Sequence, residues 1–420
     1  MLLLLTAIAC RTLQVPEGDG WKPWAPRAEI QPRCAVDREV FRSAPEALSI
    51  SGAGNAAAFG GWAKDFPVEA GKHYRLTAHF RARDVRHQRL RILARIDWRD
   101  ARGRRAGYPD YAWQTEPAGE WTRVTHLVPA PEKAAAARVE LTLANSPEGT
   151  VWWDDITLEE APAPPPRPVR IGCVHFRPRN TGGPKGSLEA FLEILDRIAP
   201  EKPDVVCLGE AITKVGHNVP YAEVAEPIPG PSTEALGEKA RRHGMYVVAG
   251  LTEREGNAVY NTGVLIDRAG RLAGKYRKVH LPREEFEAGL TPGNAYPVFD
   301  TDFGRVGIMI CYDIFFTDPA KALAVQGAEI IFAPVWGCKY DQLRVRASEN
   351  HVVVVSAGYD VESAVINPVG EVLHASKEPG TLRVVPVDLS QRYVEPWLGD
   401  MRGRFHKELR WDVPVPEPPK

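Results

Sequence analysis

A proline-rich segment near the middle of the chain divides it into two parts of different character. Residues 159–168 read EEAPAPPPRP, with five prolines and no periodic apolar pattern. Because proline lacks a backbone N–H, this stretch is expected to form a stiff, extended linker and not the interior of a helix or sheet. Eight of the eleven tryptophans lie before residue 160, and strand-like and helix-like patterns alternate only after the linker. The sequence therefore predicts two domains.

The composition indicates a folded protein and excludes several functional classes. Of the 420 residues, 44% are hydrophobic and 25% are charged, which argues against disorder. The formal net charge of −1 gives no electrostatic case for a nucleic-acid partner. No apolar run approaches the roughly 20 residues that cross a bilayer. The six cysteines contain no CxxC pair, so a zinc ribbon is not expected either.

The chain begins MLLLLTAIAC, which resembles the end of a bacterial lipoprotein signal with Cys10 as the residue that becomes lipidated. No basic residue precedes the apolar stretch, and the stretch is short for a secretory signal. We treat residues 1–20 as a leader. We expect export to the periplasm or lipid anchoring at the cell envelope, with a cytoplasmic location as the alternative.

Residues 21–160 have the pattern of strands throughout. Turn-forming clusters separate segments in which apolar and polar residues alternate, at 73–82, 89–98, 121–130, 137–145 and 151–160. This pattern predicts an antiparallel, all-β sandwich.

The closing segment VWWDDITLEE (151–160) makes this domain resemble the jelly-roll carbohydrate-binding modules that are appended to bacterial enzymes. The resemblance implies a polysaccharide partner, held by aromatic rings that stack on sugars. The candidates are Trp98, Tyr108, Tyr111 and Trp113. The alternative is that these rings pack in the core or at its edge, where aromatic side chains contribute much buried area.

After the linker, residues 169–395 alternate apolar runs with amphipathic helical segments, which predicts a layered α/β domain. Three chemically distinct groups end or follow strand-like runs: Glu210 in VVCLGE, Lys278 in KYRKVHLP and Cys311 in IMICYD. Ligands in layered α/β folds bind beyond the carboxyl ends of strands. A carboxylate, an ammonium and a thiol are therefore expected to converge on one rim.

The order and surroundings of these groups resemble the nitrilase superfamily, the carbon–nitrogen hydrolases. CLGEAIT resembles the glutamate motif, KYRKVHLP the lysine motif and GRVGIMICYD the cysteine motif, and flanks such as YNTGVLID and LTPGNAYPVFDTDFG fall in register. Three motifs in this order are far more specific than one. The resemblance implies a nitrilase-type α-β-β-α sandwich, a Glu–Lys–Cys triad, no metal, no cofactor and a homodimer.

The resemblance also implies hydrolysis of a non-peptide C–N bond in a small molecule, an amide or carbamoyl group and less often a nitrile. A free thiol has a pKa of about 8.5, so Cys311 needs a base to attack near neutral pH. Glu210 is expected to be that base. The oxyanion needs preorganised donors, which Lys278 and the backbone N–H of Tyr312 are expected to supply.

Many relatives carry a further glutamate shortly after the lysine, which positions substrate or water. In PREEFEAGLTPG we assign this role to Glu285, with Glu284 and Glu287 as alternatives. Tyr312 and Trp336 are expected to line the pocket, and Asp313 to orient the nucleophile turn.

Other interpretations remain open at this point. Singly, a cysteine such as Cys311 is more often a small buried hydrophobe than a nucleophile. After CYD the chain reads IFFTDPAK, which departs from many amidase-like relatives, so the sequence leaves the substrate open. A catalytically inactive glycan-binding scaffold and an acyl transferase are the alternative functions. Residues 396–420 have the pattern of a tail.

Overall fold

A computed structural model of the chain describes residues 19–395, 399–402, 410 and 413. One compact unit consists of residues 165–393, and the other of the described residues within 1–164 and 394–420. Most of the predicted leader and of the predicted tail lies outside the described residues. Over the described ranges, no helix has the length and apolar character needed to cross a membrane.

The first unit is built from strands. Its described helical turns are α1 (Gln88–Arg91) and a short 3-10 turn (Ala28–Ile30). The strands are β1 (Lys22–Trp24), β2 (Arg33–Asp37), β3 (Ala47–Ser51), β4 (Phe59–Pro67), β5 (His73–Arg83), β6 (Ile92–Arg99), β7 (Asp110–Ala112), β8 (Gln114–Ala118), β9 (Trp121–Pro129), β10 (Ala136–Ala144) and β11 (Thr150–Ala161).

These strands form two antiparallel sheets with a shared core. The five-stranded sheet has the order β1-β4-β10-β6-β7, and the six-stranded sheet the order β2-β3-β11-β5-β9-β8. Because successive side chains point to opposite faces of a strand, each sheet buries one face and exposes the other. The core contains Ile50, Trp62, Leu76, Ile96, Leu141 and Trp153. The prediction that the N-terminal part is all-β is confirmed.

One candidate sugar-stacking residue lies inside this core. Trp98 in β6 is fully buried, and its indole N–H donates a hydrogen bond of 2.7 Å to Asp110 Oδ2. The prediction that Trp98 presents a ring face to a glycan is therefore wrong. The strand period of two explains its position, because Trp98 shares the inner face of β6 with three other buried residues, Ile92, Ala94 and Ile96.

The second unit alternates strands and helices. Its strands are β12 (Pro168–His175), β13 (Val205–Cys207), β14 (Tyr246–Glu255), β15 (Ala258–Ile266), β16 (Leu272–Arg277), β17 (Val298–Asp300), β18 (Arg305–Ile308), β19 (Ile330–Val335), β20 (Val353–Gly358), β21 (Ser363–Ile366), β22 (Val372–Ser376) and β23 (Thr381–Asp388). Its α-helices are α2 (Pro184–Ile198), α3 (Tyr221–Val224), α4 (Pro231–His243), α5 (Arg283–Glu287), α6 (Asp318–Val325) and α7 (Tyr340–Asn350). Two short strands that follow, β24 (Val394–Glu395) and β25 (Gly399–Asp400), pair with each other and are grouped with the first unit.

Four layers make up the second unit. One sheet has the order β16-β15-β14-β13-β12-β23, and the other the order β17-β18-β19-β20-β21-β22. The sheets pack face to face through β12 against β20 and β21, and through β14 against β19. Helices α2 and α4 cover the first sheet, while α6 and α7 cover the second. The predicted α-β-β-α sandwich is confirmed.

The centre of each sheet is parallel and fully covered. Strands β12, β13 and β14 run parallel in one sheet, as do β18, β19 and β20 in the other. Strands buried on both faces are apolar along their whole length, as in β13 and β19, where every residue is buried. Polar groups therefore collect where these strands end, and the candidate site lies there.

Candidate active site

Glu210 lies just past the end of β13, at a turn that two glycines make possible. A Cβ on Gly209 would lie 2.5 Å from the Tyr359 ring, and one on Gly250 would lie 2.7 Å from the Glu210 Cα. Both close approaches require glycine. The Tyr359 hydroxyl donates a hydrogen bond of 2.8 Å to the Glu210 carbonyl oxygen. These contacts fix the Glu210 backbone and bury its side chain.

Lys278 directly follows β16 and places its ammonium between two carboxylates. Its Nζ donates to Glu210 Oε1 at 2.9 Å and to Glu285 Oε1 at 2.8 Å. The Asn261 side-chain amide donates to the same two oxygens, at 2.8 Å each. Lys278 is buried, and two of its three N–H groups are used by these acids.

Glu285 is the buried member of the three glutamates that the sequence left open. All three lie on the short helix α5, and Glu284 and Glu287 are exposed. Glu287 pairs instead with Arg283, at 2.7 Å. Glu285 also has a buried Oε2 that accepts no hydrogen bond from the described residues. The structure therefore brings Glu285, and not its neighbours, into the cluster of polar side chains around Lys278.

Cys311 begins a short 3-10 helix (Cys311–Phe315) just after β18, with a backbone φ of +45°. A residue other than glycine rarely adopts this left-handed conformation, which persists only where the surroundings hold it. Asp313 supplies that support, because its carboxylate accepts bonds from the Ile310 N–H at 2.9 Å and the Tyr276 hydroxyl at 2.7 Å. This matches the expectation that Asp313 orients the turn.

The adjacent residues Trp336 and Gly337 connect the carboxylate to the thiol. The Trp336 backbone N–H donates to Glu210 Oε2 at 2.7 Å, and the Cys311 thiol donates to the Gly337 carbonyl oxygen at 3.4 Å. Because these two partners are neighbours in the chain, Glu210 and Cys311 lie at the same end of the sheets. The three predicted residues thus converge, with Glu285 beside them.

The two predicted pocket residues flank this cluster. The Trp336 ring is half-buried, lies edge-on to Tyr359 at 5.3 Å and has the Arg177 guanidinium 5.3 Å from its centroid. Tyr312 is half-buried, and its ring contacts Phe316 edge-on at 5.3 Å.

Burial and the neighbouring charges together shift the pKa values of Lys278, Glu285 and Cys311. Burial alone lowers the pKa of Lys278, but the charges of Glu210 and Glu285 outweigh burial and raise it. Burial, opposed by Lys278 and assisted by Glu210, raises the pKa of Glu285 to about 7. Burial and the charge of Glu210 raise the pKa of the Cys311 thiol, although Lys278 and the N–H groups of residues 336 and 337 oppose them. Cys311 is therefore a thiol at rest, beside a permanent cation.

Several residues of the cluster were not predicted to be functional from the sequence. Asn261 lay in the flank YNTGVLID but had no assigned role. Tyr221 in α3 has a pKa raised by burial and then by the charges of Glu210 and Glu285, and its ring lies 5.4 Å from the Lys214 ammonium. Nothing in the local sequence pattern distinguishes Tyr221 from a surface aromatic residue.

His280 was also not predicted to be functional. Its Nδ1 lies 3.1 Å from Asp313 Oδ1, and its Nε2 lies 3.4 Å from Asp318 Oδ2. The imidazole stacks on the Phe316 ring at 4.0 Å. The hydrogen bond to Asp313 raises the pKa of His280, although burial opposes it. His280 thus connects the nucleophile turn to the start of α6.

Three aromatic candidates in the first unit keep accessible surface. Tyr111 is half-buried, with its hydroxyl 3.5 Å from Arg95 Nη1. Trp113 is half-buried, with the Arg402 guanidinium 5.9 Å from its ring. Tyr108 is exposed.

A sequence profile of the carbon–nitrogen hydrolases matches residues 173–397, which is more than half of the chain. The chain belongs to the carbon–nitrogen hydrolase family. This assignment confirms the prediction of a carbon–nitrogen hydrolase of the nitrilase superfamily.

Among its relatives, this carbon–nitrogen hydrolase is 39% identical over 166 residues to a nitrilase of Pyrococcus abyssi, covering 38% of this chain and 62% of the relative. It is 33% identical over 198 residues to an omega-amidase of Bos taurus, covering 41% of this chain and 71% of the relative. An amidase of Nesterenkonia sp. has a solved structure with 24% identity and a TM-score of 0.47, covering 52% of this chain and 89% of that one.

Proposed function

We propose that this carbon–nitrogen hydrolase cleaves an amide or carbamoyl C–N bond of a small molecule through a thioester on Cys311. The main observation in support is the buried Lys278 ammonium, which is held at 2.9 Å by Glu210 and at 2.8 Å by Glu285 beside the thiol. Burying an ion pair with an extra carboxylate costs stability, so such an arrangement favours a functional role.

In the first step, Glu210 takes the thiol proton as the Cys311 sulfur attacks the substrate carbon. Glu210 accepts three hydrogen bonds, from Lys278, Asn261 and the Trp336 N–H. A carboxylate offers about four lone-pair sites, so one remains for the proton. Because the pKa of the thiol is raised, proton transfer accompanies attack instead of preceding it.

The tetrahedral intermediate carries an oxyanion that needs donors already in place. The third N–H of Lys278 is one proposed donor, since the described residues occupy the other two. The backbone N–H of Tyr312 is the second. Glu210 then gives its proton to the leaving nitrogen, ammonia or an amine departs, and the thioester remains.

Water completes the cycle. Glu210 takes a proton from the water that attacks the thioester, the C–S bond breaks, and the proton returns to the Cys311 sulfur. Glu285, whose buried Oε2 accepts no hydrogen bond from the described residues, is proposed to position the substrate nitrogen or this water.

The test is ammonia release from a panel of short-chain amides, ureido acids and nitriles. We expect release by the wild type and none by Cys311→Ala, and the best substrate separates amide from carbamoyl and nitrile chemistry. Cys34→Ala is the matched control, because Cys34 is a half-buried cysteine of the first unit. Ammonia release by Cys311→Ala equal to that of the wild type would contradict the thioester mechanism.

An acyl transferase would use the same thioester but pass the acyl group to an amine. Adding hydroxylamine to the assay distinguishes the two. A hydrolase forms mainly the free acid at millimolar hydroxylamine, whereas a transferase forms mainly the hydroxamate. The catalytically inactive scaffold remains the alternative if no substrate is turned over and no acyl-enzyme is detected by mass spectrometry.

For the first unit, the proposal is a jelly roll that holds a glycan through exposed aromatic residues. Consecutive strands β3 to β6 alternate between the sheets, as do β9 to β11, and β3 and β11 are neighbours. This connectivity is typical of paired Greek keys. On the outer face of the five-stranded sheet, Arg95 lies against both Tyr111 and the ring of Trp24.

Affinity electrophoresis of the full chain in neutral polysaccharide gels tests this role. Tyr111→Ala and Trp113→Ala should abolish retardation, whereas Phe41→Ala, an exposed aromatic residue of the same unit, should not. Retardation that is identical in all variants would refute a site at Tyr111 and Trp113.

Export and dimerisation also remain proposals. Lipid attachment at Cys10 concerns residues outside the described part of the chain, and palmitate labelling of the wild type but not of Cys10→Ser would support it. Light scattering at micromolar concentration tests the homodimer.

A further inference from the structure

An open cleft lies at one end of the first unit, between the β5–α1 connection and the β10–β11 turn. Its volume is about 880 Å³, and Asp84, Arg86, His87, Arg91, Asn145 and Ser146 are among the residues that line it. This volume falls in the range of about 300–1,000 Å³ that small-molecule sites occupy. Neither Tyr111 nor Trp113, the aromatic candidates for sugar binding, is among the residues that line this cleft.

The segment that contributes one wall of the cleft is rich in arginine, and two of its arginines, Arg86 and Arg91, line the cleft. Residues 81–91 read RARDVRHQRLR, with five arginines and one histidine against one aspartate. Arg81 and Arg83 have acidic neighbours, Glu120 at 3.1 Å and Asp84 at 3.9 Å. Arg86 is exposed, lines the cleft and forms no ion pair with any described residue. The lining also contains the carboxylates of Asp84 and Glu148, but no ion pair joins either of them to Arg86 among the described residues. The Arg86 guanidinium is therefore available to an external anion.

Three residues in the walls of the cleft have a left-handed backbone conformation. Asp84, His87 and Asn145 all have backbone φ values between +46° and +57°. Aspartate, histidine and asparagine are the residues other than glycine that adopt this left-handed conformation most readily, so the local sequence favours these turns. The Asn145 N–H donates to the Ala58 carbonyl oxygen at 2.7 Å and so anchors the turn.

A close contact also joins the two walls. A Cβ on Gly149 would lie 2.8 Å from Val85 Cγ2, so the β10–β11 turn packs tightly against the opposite connection. Arg91 Nη1 donates to Asn145 Oδ1 at 3.2 Å across the same gap. The cleft is thus preorganised, which reduces the entropic cost of binding.

We propose that this cleft binds a carboxylated sugar, with Arg86 paired to the carboxylate. The planar guanidinium matches a carboxylate with two parallel hydrogen bonds. The side chains of Gln88, Asn145 and Ser146 supply amide and hydroxyl groups suited to sugar hydroxyls.

Other ligand classes fit the lining less well. Among the described residues that line the cleft there is no Trp, Tyr or Phe. Neutral glycans and single-stranded nucleic acids both rely on stacking against such rings. An acidic sugar does not need a ring, because charge and hydrogen bonds hold it.

Calorimetric titration of the full chain with trigalacturonate and trimannuronate tests the proposal, with the methyl esters of both as neutral counterparts. We expect at least one acid to bind and its ester to bind about tenfold more weakly or not at all. Arg86→Gln should weaken binding of the acid about tenfold, while Arg86→Lys keeps part of it. Arg102→Gln is the matched control, because Arg102 is an exposed arginine of the same unit outside the cleft. Raising the salt concentration from 50 to about 300 mM should weaken binding, since exposed charges are screened.

Failure to bind either acid, equal affinity for acid and ester, or unchanged affinity of Arg86→Gln would each overturn the proposal. Binding to vesicles that contain anionic lipid, without binding of either uronate, would identify a different ligand class and also overturn it. Melting temperatures of the variants equal to that of the wild type exclude misfolding as the cause of a loss. Cys311→Ala should bind as the wild type does, so this result is independent of the hydrolase proposal.

Discussion

Replacing Glu285 by glutamine tests the charge arrangement of the candidate active site. Glutamine has nearly the shape of a protonated glutamate, and its carbonyl oxygen can still accept the bonds that Lys278 and Asn261 donate to Oε1. The substitution therefore removes the negative charge and leaves the packing in place. Its effect on stability should depend on pH, because Glu285 itself titrates.

The pKa of Glu285 is raised from 4.5 to about 7 in the folded protein. Between these two pH values the folded state holds the proton more tightly than the unfolded state, so the stability of the wild type falls as pH rises. Each tenfold change in an acid dissociation constant corresponds to about 1.4 kcal/mol, so ionised Glu285 lowers the free energy of unfolding by about 3 kcal/mol above pH 7. Below pH 4.5 Glu285 is protonated in both the folded and the unfolded state, so its effect on the free energy of unfolding vanishes.

Glu285→Gln should therefore melt about 6–12 °C higher than the wild type at pH 8, as expected for a unit of this size. At pH 4.5 the two melting temperatures should agree. Differential scanning fluorimetry at both pH values measures this. Glu284→Gln is the control. Because Glu284 is exposed, its substitution should leave the melting temperature unchanged at both pH values. A difference between Glu285→Gln and wild type that is the same at both pH values would refute the assignment of a raised pKa. The activity of Glu285→Gln should fall at both pH 4.5 and pH 8, since the variant loses the proposed positioning carboxylate.

Three further substitutions probe the groups around Glu285. Lys278→Met leaves two buried carboxylates without their cation, so it should cost about 3–5 kcal/mol of stability in urea denaturation and abolish turnover; activity that persists would contradict the oxyanion role. Asn261→Leu removes the donor to both acids and should lower kcat/KM about tenfold to a hundredfold, equivalent to about 1–3 kcal/mol; an unchanged kcat/KM would make Asn261 purely structural. His280→Gln should destabilise most below pH 6.5, because the raised pKa of His280 contributes stability there that is lost as pH rises through the folded value. A loss of melting temperature in His280→Gln that is equal at pH 5.5 and pH 9 would show that the imidazolium is not involved.

The sequence predicted the three motif residues because each is embedded in a distinctive local context. Glu210 and Cys311 follow apolar runs that become buried strands, and Lys278 follows the half-buried edge strand β16. The carboxyl ends of strands are where ligands bind in layered α/β folds. Their convergence therefore follows from topology, which the alternation of strands and helices specifies.

The sequence analysis assigned the accessory role to Glu285, but the local sequence does not show why Glu285 and not Glu284 or Glu287 is the buried one. Glu284, Glu285 and Glu287 share a helix of five residues, where each position turns about 100° from the next. Which of them faces inward depends on how α5 docks, and that is a tertiary property. The same holds for Asn261, a buried polar residue of β15 whose partners come from distant segments.

For Trp98, the strand pattern could have decided between the two interpretations that the sequence analysis left open. Ile92, Ala94 and Ile96 occupy alternate positions of its strand, so the period of two places Trp98 with them on the inner face. The sequence analysis gave Trp98 as a candidate for sugar stacking, with packing in the core as the alternative. For strand residues, the face assigned by alternation is the better guide to exposure.

The charge balance of the cluster explains why a nucleophile with a raised pKa is consistent with the proposed hydrolysis. Two carboxylates and one ammonium sum to a charge of −1 when Glu285 is ionised, so a thiolate would add a second negative charge in a buried place. The thiol therefore keeps its proton until substrate arrives. When the Cys311 sulfur bonds to carbon, the negative charge moves to the substrate oxygen, where the remaining N–H of Lys278 is proposed to receive it, and the proton moves to Glu210. The proton acquired by Glu210 neutralises one carboxylate at the moment the oxyanion forms, so the total charge of the site stays constant through the step.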